Sequence, residues 1–585
     1  MKILLTTLNS KYIHTALSLE YLYYYCREEF DDIRVEEYTI NHDEDFILGE
    51  IYKGKYDVVC FSCYIWNVTS TINIINNLKK VCPQQINILG GPEVSFDSKE
   101  LMEKYSFVDY IVVGEGEITL RELLRGLVND KGDISKIPGI VHRFGGQVVK
   151  NQERELINQM NLIPTPYQGN LEKFNNKIIY YESSRGCPFN CTYCLSSTIK
   201  GVRYFSLDRV RIDIERFLHH GVSQVKFVDR TFNSKKDHGF EIMRYIKEKD
   251  NGTTNFHFEI TAELLDDEIM NFLSGVREGL FQFEIGVQTT YEQTLKSIER
   301  PMNFNIIENV VRKISSFKNI HLHLDLIAGL PYETYDRFKT SFDDVYDLKP
   351  EKLQLGFLKL LKGSAIRREK DIHQYIFKEE ASYEVMQNKY ISYGQLLKLK
   401  MMAEIVEKLY NSKGFQYSTL YAIENYFKKP SEFYEALADF WDHNEYQYAS
   451  HGKNGLYKII LDFYGSFTGE DSAIFHDLLK LDYLTQGKGT LPDFFRTFTI
   501  EDFQNKIHQF LKNDKMLDEY LPSFKDLPTK NILKKVHFEC FNFNVLEIMK
   551  NPRNIKFKKK ENVILFDYNV SKNAFYKSKY YSIQL

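Results

Sequence analysis

Ser183-Ser184-Arg185-Gly186-Cys187-Pro188-Phe189-Asn190-Cys191-Thr192-Tyr193-Cys194 is the stretch whose reading decides this chain. It places three cysteines at CxxxCxxC spacing directly after a strand predicted over 178–182. Thiolates are soft ligands that suit zinc or iron–sulfur clusters. A zinc site asks for a fourth Cys or His close by. The next histidines, His219 and His220, fall on a predicted helix without ligand-like spacing. Three thiolates on a four-iron cluster leave one iron open, and substrate activation requires an open metal position. A zinc site or an incidental group of cysteines is the alternative.

Downstream of the motif, strand and helix signals alternate. Further strands are predicted over 224–228, 256–261, 281–287, 321–328 and 353–358, with helices over 207–219, 237–249 and 334–346 between them. Repeated strand–helix units predict a partial (β/α)6 barrel, whose chemistry sits where strands end and loops begin. Upstream, strands over 2–6, 57–62, 86–89 and 108–113 alternate with helices over 15–27, 70–80 and a segment running to 128. This is an α/β pattern of right-handed βαβ units, an open parallel, Rossmann-like sheet that binds ligands beyond its strand carboxyl ends. Those ends carry small or polar residues: Asn9-Ser10, Ser62, Gly90-Gly91 and Gly114-Glu115-Gly116. No GxGxxG follows the first strand, so dinucleotide binding loses its main support. The Gly pairs also read simply as tight turns.

Residues 129–172 read as a connector. Gly145-Gly146 signals a hairpin there, and Pro164 and Pro166 impose extended backbone. After about residue 370 the alternation stops. Helical periodicity covers 390–410, 431–441 and 472–481, and strand-like segments cover 536–543, 562–567 and 575–583. The predicted domains are 1–128, 129–172, 173–370 and 371–585, the last mainly helical with terminal strands.

The composition is that of a folded protein: 43% hydrophobic, 27% charged, net charge −4 over 585 residues. A near-neutral chain has no overall field for nucleic acid or an anionic membrane. The basic run at Lys556-Phe557-Lys558-Lys559-Lys560, near Arg553, makes a nucleic-acid contact conceivable but not favoured over a solvated strand end. No apolar run approaches a membrane span, and the interrupted start MKILLTTLNS does not read as a signal peptide. Eight cysteines in this length are no disulfide framework. The expected compartment is the reducing cytoplasm.

CxxxCxxC with Tyr193 before the last Cys, opening a six-unit barrel, resembles the radical S-adenosylmethionine (SAM) superfamily. Gly90-Gly91-Pro92-Glu93-Val94-Ser95 and Val112-Val113-Gly114-Glu115-Gly116-Glu117 resemble the cobalamin-binding domain that precedes this barrel in many members. The whole resembles a subgroup with an extra C-terminal domain. The resemblance implies a four-iron four-sulfur cluster on Cys187, Cys191 and Cys194, whose open iron SAM chelates. It further implies SAM contacts at Tyr193, Asp229, Glu263, Gln288 and Ile327. Cobalamin contacts are implied at Ser10, Ser62, Gly90, Gly91, Glu93, Gly114, Glu115 and Gly116. Glu263 reads equally as an exposed rim carboxylate.

Two family signatures are absent: Gly-Gly-Glu after the second barrel strand, where Asp229-Arg230-Thr231 stands, and Asp-x-His-x-x-Gly. The second absence implies cobalamin with no protein His on cobalt. The implied activity is methyl transfer to an unactivated carbon, through a 5′-deoxyadenosyl radical and methylcobalamin. An electron donor such as flavodoxin or ferredoxin is implied as well. Rearrangement or oxidation without methyl transfer leaves the same motifs, and a redox- or cobalamin-responsive binding protein is the non-enzymatic alternative. Residues 371–585 are expected to close the barrel mouth and help choose the substrate. No side chain reads as catalytic, and the substrate is not legible.

Overall fold

A computed structural model describes residues 1–129, 133–468, 472–495, 497–553, 559–569 and 578–585. Residues 554–558 and 570–577, which hold most of the basic run and part of the last expected strand, lie outside the described residues. The chain divides into two units, Met1–Glu333 with Gly356–Ser392, and Thr334–Leu355 with Tyr393–Leu585.

The first unit begins with a seven-stranded sheet. Its strands are β1 (Ile3–Asn9), β2 (Ile33–Thr39), β3 (Val58–Ser62), β4 (Ile86–Gly90), β5 (Tyr110–Val112), β6 (Ile140–Phe144) and β7 (Gln147–Lys150). The order is β2-β1-β3-β4-β5-β6-β7, parallel through β5 and antiparallel beyond. All seven residues of β1 are buried, as a strand covered on both faces demands. Period-two alternation sorts them: Leu4 and Leu8 join one core with Val59, Phe61 and Ile111. Ile3 and Leu5 join the opposite core with Val58, Cys60 and Val112. The hairpin expected inside the connector is β6–β7, and it pairs with β5. It thereby covers backbone groups that β5 would otherwise leave as a bare edge. β2 was not expected from the sequence. It is an edge strand whose Arg34, Glu36 and Glu37 break the apolar signal.

Next come β8 (Ile179–Tyr181) and a hairpin of β9 (Ser184–Cys187) with β10 (Gly201–Tyr204). β11 (Gln224–Phe227), β12 (Asn255–Glu259), β13 (Phe281–Gln288), β14 (His321–Ala328) and β15 (Lys352–Phe357) follow. β8 and β11–β15 form one sheet of order β15-β14-β13-β12-β11-β8. Six strands with intervening helices make the partial barrel. β14 shows how it is lined: Leu322, Leu324, Leu326 and Ala328 are buried, while His321, His323, Asp325 and Ile327 alternate with them and are only half-buried. The same alternation gives β12 His257 and Glu259 and gives β13 Gln282 and Glu284, so the strand face opposite the buried leucines is polar.

The second unit is mainly helical. Its helices include Tyr335–Tyr346, Tyr393–Val406, Pro430–His443, Lys453–Thr468 and Ser472–Thr485, with a three-stranded antiparallel sheet of Val536–Phe541, Asn562–Asp567 and Lys579–Ile583. Asp482, fully buried, accepts hydrogen bonds from the Tyr417 and Ser418 amides and the Ser418 hydroxyl at 3.0, 2.9 and 2.7 Å. It thus caps the start of helix Gln416–Tyr426 from a neighbouring helix.

Two predictions follow from these contacts. Gly91 has φ +105°, and a Cβ there would stand 2.5 Å from the Cys63 carbonyl oxygen, whereas Gly114 (φ +79°) has open space around it. Gly91→Ala is expected to cost about 3 kcal/mol and Gly114→Ala about 1 kcal/mol, a difference visible in thermal unfolding. Burial raises the Asp482 carboxyl to about 7. An unfolded Asp loses its proton near pH 4, so the folded chain binds the extra proton between these values. Stability therefore falls as pH rises from about 4 to 7. Denaturant titrations across this range are expected to show a shallower fall in Asp482→Asn.

Candidate functional site

The cysteine stretch leaves β9 at the mouth of the barrel. Cys187 closes the β9–β10 hairpin opposite Gly201. Gly186 is required there: at φ +104° its α-carbon lies against the Gly201 carbonyl, where a Cβ has no room. Beyond it, the Thr192 amide donates to the Ile298 carbonyl and the Ile366 amide donates to the Thr192 carbonyl, each at 3.0 Å. Cys191 is buried, and Cys187 and Cys194 are half-buried. Among the described residues, the three thiols are not a set whose sulfurs all lie within 4.8 Å of one another. Tetrahedral zinc at 2.3 Å from each sulfur would hold them about 3.8 Å apart. Burial raises the Cys191 thiol, opposed by the Arg300 guanidinium. Cys60 and Cys63 are buried in the first sheet with thiols pushed up by desolvation, as small apolar core residues.

Arg300 was missed in the sequence. Its Nη1 lies 3.7 Å from Cys191 Sγ and 3.3 Å from the Tyr193 hydroxyl, and its Nη2 donates to the Gly286 carbonyl. It joins the cysteine loop to the end of β13. No spacing rule links position 300 to 191, so no local signal could have found it. Tyr193 is raised by burial.

The other residues expected around SAM fall into distinct places. Gln288 ends β13 beyond a register shift, with φ +69°. Its side chain covers Gly286, and its Oε1 is buried without a hydrogen-bond partner. A buried acceptor of this kind fits a donor group on a ligand. Glu263 lines a cleft with Phe189, Gly286, Arg300 and Met302, and its Oε1 accepts from the Asn303 amide at 3.2 Å. Ile327 is half-buried near the end of β14. Asp229 is buried: it accepts from the Ser183 amide (2.9 Å), the Ser183 hydroxyl (2.7 Å) and the Ser184 hydroxyl (2.5 Å), and desolvation raises it to about 6. Its carboxylate therefore holds the strand that launches the cysteine hairpin.

At the first sheet, Ser10, Ser62, Gly90, Gly91, Gly114 and Gly116 stand at the carboxyl ends of β1, β3, β4 and β5. Gly91 is demanded by its approach to Cys63, while Gly114 leaves open space that a backbone-hugging ligand can use. The two glutamates expected here have protein partners. Glu93 accepts from the Tyr383 hydroxyl and has Lys362 Nζ at 3.5 Å. Glu115 accepts from Arg203 Nη2 at 2.8 Å and the Ile157 amide at 2.9 Å, with Arg185 Nη1 at 3.3 Å. These ion pairs hold Glu115 below the usual carboxylate range against the cost of burial. Arg185 also binds Glu117 (2.6 Å) and Glu182 (2.8 Å) and stacks on Tyr21. Tyr64 and Trp66, unremarked in the sequence, stack 4.5 Å apart just past the end of β3. Trp66 is 46% exposed, and its Nε1 donates to the Leu8 carbonyl.

Three family models match. The B12 binding domain matches residues 3–124, the radical SAM superfamily 181–345, and a protein of unknown function (DUF4080) 371–566. The cobalamin-dependent radical SAM methyltransferase TokK of Streptomyces tokunonensis is 26% identical over 339 residues, 54% of this chain and 49% of TokK. The chain spans about half the length of the curated relatives it matches. Among solved structures, the radical SAM methyltransferase TsrM from Kitasatospora setae aligns with TM-score 0.54 at 18% identity, over 63% of this chain and 78% of that one. The cobalamin-dependent SAM radical enzyme OxsB aligns with TM-score 0.51 at 18% identity, over 94% and 78%. At that identity the structural likeness shows the fold. The two N-terminal domains call for cobalamin, a four-iron four-sulfur cluster and SAM, and the three unpaired cysteines of one loop, the orphan Gln288 acceptor and the open backbone at Gly114 fit them. Regions that match the B12 binding domain, the radical SAM superfamily and DUF4080 follow one another in this chain.

Proposed function

We propose that this protein is a cobalamin-dependent radical SAM methyltransferase acting on an unactivated carbon. One observation carries the reading: the hairpin that presents Cys187 is tied through Arg185 to Glu115 and Glu117, which follow β5 of the cobalamin-type sheet. The two cofactor regions are thus one ion-paired piece of structure. The methyltransferase relatives support the same reading.

Bound there, the cluster would supply an electron, SAM the adenosyl group for radical chemistry, and cobalamin a methyl group. The chain's own residues position and shield. Cys187, Cys191 and Cys194 would hold three irons. Arg300 places a fixed positive charge beside Cys191 and anchors Tyr193. Gln288 Oε1 offers SAM an acceptor, and Glu263 and Ile327 flank the same end of the barrel. Asp229 fixes Ser183 and Ser184 at the start of the cysteine hairpin. Cobalamin would lie over the strand ends at Ser10, Ser62, Gly90 and Gly114, with Tyr64 and Trp66 as an aromatic shelf. Within the division 1–128, 129–172, 173–370 and 371–585, the last region is proposed to help choose the substrate. An electron donor such as flavodoxin or ferredoxin would serve the cluster.

Anaerobic protein loaded with cluster and cobalamin, given dithionite and SAM, is expected to form 5′-deoxyadenosine and S-adenosylhomocysteine. 5′-Deoxyadenosine alone would point to rearrangement or oxidation; neither product, with the cluster verified, to a binding protein. Alanine at Cys187, Cys191 or Cys194 is expected to abolish cluster absorbance and SAM cleavage, whereas Cys60→Ala retains both. Arg185→Met takes the guanidinium from Glu117 and Glu182 and leaves Glu115 to Arg203, and is expected to cost about 3–5 kcal/mol. Calorimetry should register that loss together with reduced iron retention.

A further inference from the structure

We propose that the barrel interior holds a second metal site, in which His257, Glu284 and His323 bind one divalent first-row transition ion. The three side chains come from consecutive strands, β12, β13 and β14. In the sheet register Glu284 lies opposite His323, and His257 lies opposite Gln282, two residues before Glu284. Among the described residues, this is the set of three ligand-bearing side chains whose ligand atoms all lie within 4.8 Å of one another. His257 Nε2 is 3.0 Å from Glu284 Oε2, and the two imidazole rings are 5.5 Å apart. Ligand atoms about 2.0–2.1 Å from a tetrahedral ion stand about 3.4 Å from one another. Only small rotamer adjustments separate this arrangement from that geometry.

Three features beyond proximity support it. The ligands sit on rigid strands rather than loops, which holds a coordination set more tightly. A support is at hand: Gln282 Nε2 lies 2.9 Å from His323 Nε2, and with that amide turned over its Oε1 accepts the Nε2 proton of a ring that ligates through Nδ1. The local charge is unbalanced. Glu259 and Asp325, two residues beyond His257 and His323, share their strand faces with them. Lys226, whose Nζ is 3.0 Å from Glu284 Oε2, is the cation bonded to Glu284. These three carboxyl groups crowd one ammonium, with Arg230 the further cation acting on Glu259, and a divalent ion offsets that crowding. Two imidazoles and one carboxylate suit zinc, iron or cobalt, and leave coordination positions for water or a substrate atom. The site differs from the thiols in ligand chemistry, being nitrogen and oxygen rather than sulfur.

The test uses zinc as the probe. Cluster-loaded protein is incubated with one equivalent of Zn2+, freed of excess by gel filtration, and read by metal analysis and zinc-edge X-ray absorption. One zinc per chain is expected, in a shell of nitrogen and oxygen with imidazole scattering and no sulfur. His257→Ala and His323→Gln are expected to lower zinc retention at least tenfold while iron content stays unchanged. No retained zinc, a sulfur-containing shell, or retention unaffected in both variants would overturn the proposal. Should either variant misfold, as lost iron would reveal, the absorption spectrum of the unmodified protein still decides.

Discussion

Arg185 is the interaction on which the first unit depends. Its guanidinium is largely buried and pairs with Glu115, Glu117 and Glu182, while Arg203 takes a second share of Glu115. Isolated, any one of these charges would be prohibitively costly to bury. Together they satisfy one another, and the fork of the guanidinium fixes direction as well as distance. Glu182 ends the first barrel strand, Arg185 opens the hairpin, and Glu115 and Glu117 follow the fifth strand of the N-terminal sheet. The network therefore aligns the two places where cofactors are needed. Such a cluster is poor at adding stability but good at specifying one arrangement, because every alternative leaves a charge unpaired.

A second constraint sits on the opposite side of the same hairpin. Asp229, at the end of β11, holds Ser183 and Ser184 by three hydrogen bonds, and Arg300 holds the far end of the cysteine loop against β13. The loop is thus suspended from two barrel strands as well as from the N-terminal sheet. The strands that carry it are apolar on the helix-covered face and polar on the other. Whatever enters the barrel meets Lys226, His257, Glu259, Glu284 and Asp325 rather than hydrocarbon.

The second unit follows a different logic. Its helices are cemented by aromatic rings, such as Phe433, Tyr434, Phe463 and Phe475, in edge-to-face and tilted contacts. Its few buried charges are matched: Lys480 reaches Glu539 at 2.9 Å and lies over the Phe541 ring, and Asp482 caps a helix. Among the described residues it shows no ligand set like that of the barrel interior. Among the described residues, no helix is long and apolar enough to cross a membrane.

Local sequence was enough for the elements whose signal is local. Apolar runs and turn residues marked β1, β3, β4, β5 and the six barrel strands, because buried parallel strands are made of such runs. The CxxxCxxC spacing and the order of the domains were enough for the radical SAM and B12-binding regions and their cofactors, since the three thiols of that motif sit close along the chain. Charged edge strand β2 escaped notice, as did the pairing of β6 with β5, because an edge owes its place to a neighbour rather than to its own hydrophobicity. Tertiary structure alone revealed the partners of the motif glutamates. Glu93 and Glu115 read as strand-end residues open to a ligand, yet each carboxylate meets a group far away in the chain, Tyr383 and Arg203. It alone brought Arg300 to Cys191, and His257, Glu284 and His323 to one another. Residue type and spacing are written in the sequence and govern ligand chemistry. Which distant charge neutralises a buried one depends on how strands register and loops dock, and that is settled only when the whole sheet closes.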